Sequence, residues 1–182
     1  HQAIVIRGVS NATGSSPLIG VYLDEIPLSI NPFITPSLQA IDIKQVEVLK
    51  GPQGMLYGQG SVGGTVRFIT NAPEMNEFNG DITTSIYDTS GGSFSKEFTA
   101  VANLPVIDDQ LAFRIAGTYR DKGGWIDRVN DNEDDINSDE LSHIRISGLW
   151  EASDKLSITA MAMQHRDDFG ASNFVNTTPA SD

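Results

Sequence analysis

From residue 80 onward the chain repeats one pattern, in which apolar and polar residues alternate along stretches bounded by turn residues. Alternation with a period of two is typical of a β-strand that has one apolar face and one polar face. Five such stretches follow one another, at residues 82–87, 94–104, 111–119, 143–150 and 156–165. The pattern therefore predicts five consecutive antiparallel strands.

Two classes of protein contain strands of this kind. In a soluble β-sandwich the apolar faces meet in a core, whereas in an outer-membrane β-barrel they face lipid and the polar faces line a wet lumen. The barrel is favoured because the predicted strands are close in length to the roughly 9–11 residues that a strand needs to cross a bilayer. It is also favoured by aromatic residues at strand ends, namely Tyr87, Tyr119 and Trp150. The connections alternate mostly between short and long, and residues 121–140 form the longest. The sandwich stays open as the alternative.

Five strands cannot close a barrel, and an open sheet edge is not tolerated in lipid. If the barrel interpretation holds, we expect the chain to be a fragment, with further strands after residue 182.

Residues 1–72 have a different pattern, with short apolar runs separated by glycine, proline and polar residues. Short strands are predicted at residues 18–23, 46–50 and 65–70, the second of them buried. One or two helical turns are predicted at residues 36–41, where Pro36 suits the first helical position. We therefore predict an α+β domain at residues 1–72, followed by an all-β segment at residues 73–182.

Residues 51–64 contain six glycines, which indicates a backbone with unusual dihedral angles or close approaches. Gly58, Gly60 and Gly63 have the spacing of a dinucleotide-binding fingerprint. A strand is predicted directly afterwards, however, where that site requires a helix N-terminus to hold the pyrophosphate. We therefore assign the glycines to backbone geometry and not to a nucleotide.

The net charge of −12 lies entirely in residues 73–182, because residues 1–72 carry four acidic and four basic side chains. Nucleic-acid binding requires a basic footprint, so we expect no nucleic-acid partner. The chain has no cysteine and no run of about 18 apolar residues, which excludes disulfides and a transmembrane helix.

Four segments of the first part resemble, in the right order, the motifs of a known plug domain. They are residues 4–8 (IVIRG), 20–27 (GVYLDEIP), 46–58 (VEVLKGPQGMLYG) and 62–70 (VGGTVRFIT). On these motifs the chain closely resembles TonB-dependent outer-membrane receptors, and residues 111–119 (LAFRIAGTY) resemble their barrels more loosely. Lys50 stands where the family usually has arginine, which keeps the charge but loses bidentate pairing.

The resemblance implies an active importer and not an enzyme. In this family a plug fills the lumen of a barrel of about 22 strands. A scarce ligand binds from outside, and TonB pulls on the plug with energy from the proton gradient of the inner membrane. The implied fold is an α+β plug followed by an incomplete antiparallel transmembrane β-barrel, here its first five strands or so. The implied location is the outer membrane of a Gram-negative bacterium.

The resemblance also implies the partners, which are outer-membrane lipid, TonB and a small-molecule ligand. The foremost ligand is a ferric siderophore, with cobalamin, haem or a glycan as alternatives, and no cofactor is expected. The segment that contacts TonB precedes the plug in this family, and we expect it to lie outside this chain.

Individual roles follow from the same resemblance. Arg7, Glu47 and Lys50 are expected to contact the barrel wall, where Glu97, Arg114 and Arg145 are the candidate partners. Hydrated ion pairs are weak, so such contacts can hold a plug that must still move; ordinary surface charges are the alternative. The motif glycines expected to shape the backbone are Gly8, Gly51, Gly54, Gly58, Gly63 and Gly64. The residues expected to face the ligand at the plug apex are Asn11, Thr13, Ser15 and Ser16.

Two groups of residues invite a metal-binding interpretation. Residues 121–140 hold eight acidic side chains, but their spacing fails the calcium-loop pattern, so we interpret them as a solvated loop. His143 and His165 fall on the polar faces of different strands, and two histidines without a third ligand seldom form a metal site. We therefore predict no metal site, and no Ser/His/Asp grouping favours an enzyme.

Overall fold

The structure, a computed structural model, describes residues 5–10, 18–28, 40–54, 61–127 and 134–170. The chain divides into two compact units, His1–Asn71 and Ala72–Asp182. Each unit builds its own sheets. Among the described residues, no helix combines the length and apolar character that a membrane span requires.

The described part of the first unit consists of short strands around a small apolar core. Strands β1 (Val5–Ile6) and β2 (Val9–Ser10) pair as a hairpin. A second sheet has the order β4-β3-β6-β5, with β3 at Ile19–Leu23, β4 at Ile26–Pro27, β5 at Ile43–Lys50 and β6 at Gly64–Thr70. Strands β3 and β6 run parallel, and the other neighbours are antiparallel. Ile6, Ile19 and Val66 form the core, with Phe68 packed against it.

One prediction for this unit is wrong. Residues 46–50 were expected to form a buried strand, but Val46 and Val48 are 51% and 50% exposed. The physical reason is that β5 lies at the edge of its sheet, with only β6 beside it. The helical turns predicted at residues 36–41 fall almost wholly outside the described residues.

The second unit is one antiparallel sheet of long strands. They are β7 (Asn79–Tyr87), β8 (Ser95–Ile107), β9 (Leu111–Lys122), β10 (Asp139–Ser153) and β11 (Leu156–Phe169). The order is β11-β10-β9-β8-β7, so each strand pairs with its neighbours in sequence. All five strands predicted from the alternation are present, at lengths of 9 to 15 residues.

The longest connection in this sheet is shorter than predicted. A loop was expected at residues 121–140, but β9 continues to Lys122 and β10 begins at Asp139, and these two residues pair. Polar residues can extend the ladder because backbone groups make the inter-strand hydrogen bonds. The loop therefore covers residues 123–138, and Asp121 and Glu140 are strand residues.

The two faces of the second sheet differ in exposure, in the reverse of the usual sense. On the apolar face, Phe113, Ile146 and Trp150 are 36%, 41% and 49% exposed. On the polar face, Arg145 and Ser147 are 3% and 6% exposed. A monomeric soluble protein rarely leaves a large contiguous apolar surface exposed. The middle strands β8, β9 and β10 therefore present their apolar side outward and turn much of their polar side away from solvent, whereas the edge strands β7 and β11 are largely exposed on both faces.

The aromatic residues at the strand ends are divided between the two faces. Tyr119 pairs with Phe98, and Trp150 pairs with Leu111, which places both on the apolar face and at opposite ends of the sheet. Tyr87 pairs with Ser95 and lies on the polar face instead. Two of the three predicted positions thus bound the apolar face.

Candidate functional site

The polar face of the second unit carries the richest chemistry of the described residues. Arg120 donates from Nη2 to an Asp139 carboxylate oxygen over 2.6 Å, and each side chain is 20% exposed. His143 lies directly opposite His165, and their rings meet edge to face with centroids 5.6 Å apart. Neighbouring strands thus build this surface from charged and hydrogen-bonding groups.

Three residues predicted to face a plug lie on this surface, on three different strands. Glu97 on β8 pairs in register with Arg120, Arg114 on β9 pairs with Asn103, and Arg145 on β10 pairs with Ala116. The fold brings Glu97, Arg114 and Arg145 onto one face. Their pairing with residues of the first unit stays a prediction.

The three corresponding residues of the first unit lie on its strands and turns. Arg7 occupies the turn between β1 and β2 with a φ of 50°. Glu47 lies on β5, and Lys50 is the last residue of that strand. Glu47 accepts hydrogen bonds from Gln45 Nε2 at 2.9 Å and from Arg67 Nη1 at 3.0 Å. Glu47 therefore has partners within its own unit.

Arg67 is a residue that the sequence pattern did not single out. Its guanidinium group reaches Glu47 over 3.0 Å and Glu25 over 2.6 Å, and its side chain is only 18% exposed. It therefore ties β6 both to β5 and to the turn between β3 and β4. The pairing register sets Glu47 opposite Arg67, and this information is available only from the fold.

The turn between β3 and β4 is fastened to β6 a second time. The Asp24 carboxylate accepts hydrogen bonds from the Thr70 backbone N and Oγ1, both at 2.9 Å. The next residue, Asn71, donates from Nδ2 to Asp42 at 2.7 Å. The last residues of the first unit are thus held by carboxylates from two different turns.

At the end of the glycine-rich segment, the backbone leaves no room for a side chain at residue 64. Gly64 has a φ of 147°, and a Cβ there would lie 2.6 Å from the Leu49 carbonyl oxygen. Gly51 has a φ of 90°, and its N–H donates to the Gly63 carbonyl over 3.3 Å. Gly8 also has a positive φ, of 80°. A Cβ on Gly54 would meet nothing within 4 Å, so space alone does not require a glycine there.

Several predicted positions lie outside the described residues. They are Gly58 of the glycine motif and the whole proposed plug apex, Asn11, Thr13, Ser15 and Ser16. Their roles stay predictions.

The acidic loop between β9 and β10 is held by side-chain hydrogen bonds. Asn137, which is 6% exposed, accepts from the backbone N–H groups of Trp125 and Ile126 at 2.8 and 2.9 Å. Ser93 Oγ donates to the Asp135 carboxylate. Beside the loop, Lys96 on β8 pairs with Asp121 on β9 at 3.1 Å. In the part of the chain that the structure describes, no group of three or more His, Cys, Asp or Glu side chains could hold a metal ion.

The comparisons with known proteins agree with the geometry. Residues 1–65 match the family model described as TonB-dependent Receptor Plug Domain. Residues 1–65 of this chain are therefore the part that matches a TonB-dependent receptor plug. The chain is 40% identical over 76 residues to the pesticin receptor of Yersinia pestis, which is 40% of this chain and 10% of that receptor. It is 36% identical over 80 residues to the probable TonB-dependent siderophore receptor PirA of Acinetobacter baumannii, at 42% and 10% coverage.

The plug and the sheet that follows it also share their fold with a solved receptor. The crystal structure of the ferric yersiniabactin uptake receptor FyuA from Yersinia pestis matches with a TM-score of 0.72 at 24% identity. The match covers 90% of this chain and 25% of FyuA. The chain spans about a tenth of the length of the curated relatives it matches.

These findings confirm the family predicted from the four sequence motifs. TonB-dependent receptors are outer-membrane proteins of Gram-negative bacteria, so the predicted location is confirmed with the family. The matched relatives are receptors and not enzymes.

Proposed function

We propose that residues 1–72 are the C-terminal part of an α+β plug and that residues 73–182 begin the transmembrane β-barrel of the same receptor. The five strands of the second unit would be the first of about 22. The whole receptor would take up a scarce ligand across the outer membrane, driven by TonB, with the plug gating the barrel lumen.

The observation that carries this proposal is the exposure of the apolar face of the second sheet. Ile82, Ile144 and Ile146 on β7 and β10 lie outward, between Tyr119 at one end and Trp150 at the other. A barrel wall has this arrangement, with an apolar band flanked by aromatic residues. A soluble sandwich would bury that face against a second sheet, which is why we favour the barrel.

The polar face supplies the second argument. Arg120, Asp139, His143 and His165 would be costly in lipid but are suited to a wet lumen that also holds a plug. Side chains on this face are hydrogen-bonded across strands, as Thr99 Oγ1 is to Thr118 Oγ1 over 2.8 Å. The face is therefore suited to contact with water and with another protein surface.

For the ligand we propose an iron chelate, foremost a ferric siderophore. The support comes from relatives, since the PirA protein is described as a probable siderophore receptor and FyuA as a ferric yersiniabactin uptake receptor. Cobalamin, haem and glycans are the alternatives to be tested beside it.

Membrane fractionation of the full-length parent protein tests the transport proposal. Gel mobility before and after boiling serves as the readout. We expect recovery in the outer membrane and a mobility shift on boiling, because a closed barrel resists detergent until it is heated. Recovery as a soluble periplasmic or secreted protein without a shift would instead support the sandwich.

The chemical class of the transported ligand requires a separate measurement. Cells that depend on the parent gene would be given radioactive iron complexed to catecholate, hydroxamate or mixed-type siderophores. We expect uptake from one class, and we expect it to stop when TonB is deleted. Uptake of haem or cobalamin alone would contradict the proposed siderophore ligand, and it would leave the transport proposal unchanged.

A further inference from the structure

We propose that Asn103 is a positioning residue that ties residues 72–78 to the barrel wall, so that a pull on the plug ends at this segment and does not reach β7. We call residues 72–78 the junction segment, because they connect the plug to the first strand of the sheet. The inference rests on the proposed function, in which the plug is pulled during transport.

The Asn103 side chain is fully buried and uses its whole amide group on the junction segment. Its Oδ1 accepts from Glu74 N at 2.8 Å, and its Nδ2 donates to the carbonyl oxygens of Glu74 and Glu77 at 2.9 and 2.5 Å. All three bonds go to backbone atoms. Asn103 therefore fixes the backbone conformation of the junction segment, independently of the side chains that the segment carries.

A second pair of residues fastens the same segment to the turn between β8 and β9. Asn76 Nδ2 donates to Asp109 Oδ1 at 2.7 Å, and Asp109 N donates to Asn76 Oδ1 at 3.1 Å. Asn79 Nδ2 also donates to Glu74 at 3.1 Å. The junction segment is thus bound at Glu74, Asn76 and Glu77, directly before β7 begins.

The position of Asn103 in the ladder explains why this attachment matters. The first pair between β7 and β8 is Asn79 opposite Asn103. Tension that arrived along the chain would load that pair first and could then open the ladder one pair at a time. Buried hydrogen bonds are costly to break without replacement. The bonds from Asn103 to the junction segment therefore resist tension along the chain before it reaches the pair of Asn79 and Asn103.

Single-molecule pulling on the N-terminus of the full-length receptor in a lipid bilayer tests the inference. The contour length released by plug unfolding is compared for the wild type, Asn103→Asp and Thr99→Val. Asn103→Asp keeps the shape but loses the donors to two carbonyl groups. Thr99 is the matched control, because it lies on the same strand and face and bonds to Thr118 instead.

We expect wild-type unfolding to stop at Glu74, the first residue that Asn103 holds. The Asn103→Asp receptor should release about 0.7 nm more, from two residues of roughly 3.3–3.6 Å each, before the Asn76–Asp109 pair holds the chain. Thr99→Val should release the wild-type length. Equal lengths in all three proteins, or an equal gain in both variants, would overturn the role of Asn103.

The wild type alone gives a test that does not depend on variant folding. If its unfolding already runs past residue 78 into β7, the junction segment is no anchor and the inference is wrong. A parent protein without a heat-modifiable barrel would instead reject the transport proposal, and fractionation detects this before any pulling.

Discussion

At the scale of single residues, Arg67 joins three parts of the plug sheet. Its guanidinium group contacts Glu47 on β5 and Glu25 in the turn between β3 and β4. Glu47 is partly shielded, whereas the Glu25 side chain is 84% exposed. Water screens exposed ion pairs strongly, so the two carboxylates should contribute unequally to stability.

We predict that Glu47→Ala destabilises the pairing of β5 and β6 by about 1–3 kcal/mol, because it removes a partly buried charged hydrogen bond. Glu25→Ala should cost at most about 1 kcal/mol. Hydrogen exchange of the β6 amides in the full-length receptor measures both changes. Equal acceleration by the two substitutions would contradict the assignment.

The glycines at the ends of the plug strands allow a second residue-scale prediction. Gly64→Ala forces a side chain into a φ of 147° and within 2.6 Å of the Leu49 oxygen. Strain of this kind costs on the order of 1–3 kcal/mol. Proteolysis of the plug in the assembled receptor should therefore be faster for Gly64→Ala and unchanged for Gly54→Ala. A Gly64→Ala plug as resistant as wild type would show that the local backbone relaxes.

At the scale of elements, the second sheet could be predicted because every strand repeats the same signal. Residues 111–119 alternate without interruption, and the alternation gives both the strand and its apolar face. The ends of the strands were harder to predict. Residues 120–122 and 139–143 are polar except for Leu141, so only the pairing of Lys122 with Asp139 shows that the ladder continues through them. Edge placement, which exposes Val46 on β5, is likewise not encoded in any local pattern.

At the scale of elements, a prediction follows from which face of the second sheet contacts lipid. If the apolar face contacts lipid, Ile146→Arg should lower the free energy of unfolding in lipid vesicles by about 2–4 kcal/mol. Thr159→Arg, on the polar face, should change it much less, because a wet lumen solvates the charge. Denaturant titration of the full-length receptor measures both. The opposite order would be expected of a soluble sheet that packs its apolar face inside.

At the scale of the whole molecule, the central expectation is that charged residues of the plug meet charged residues of the barrel wall. Glu97, Arg114 and Arg145 share one face of the second sheet. Arg7, Glu47 and Lys50 lie in the first unit, where Glu47 already pairs with Arg67. Lys50 is therefore the clearer candidate for a test between the units.

We predict that Lys50→Glu weakens plug protection and that adding Glu97→Lys restores it. The coupling should be small, about 0.2–1 kcal/mol, because a hydrated pair is strongly screened. Hydrogen exchange of the full-length receptor in a double-mutant cycle gives the value, with Lys44→Glu as the control on the same strand. Strictly additive effects of the two substitutions would reject this pair.

The sequence by itself determined the family, through four ordered plug motifs, and the number of strands that follow, through alternation with a period of two. Such features are local, because a motif or a period is complete within about ten residues. Only the tertiary structure decided which residues meet. Arg67 with Glu47, Asp24 with Thr70, and Asn103 with Glu74 and Glu77 are separated by 20 to 46 positions. A side chain's partner depends on strand register and on the path of the backbone, and no local pattern contains either.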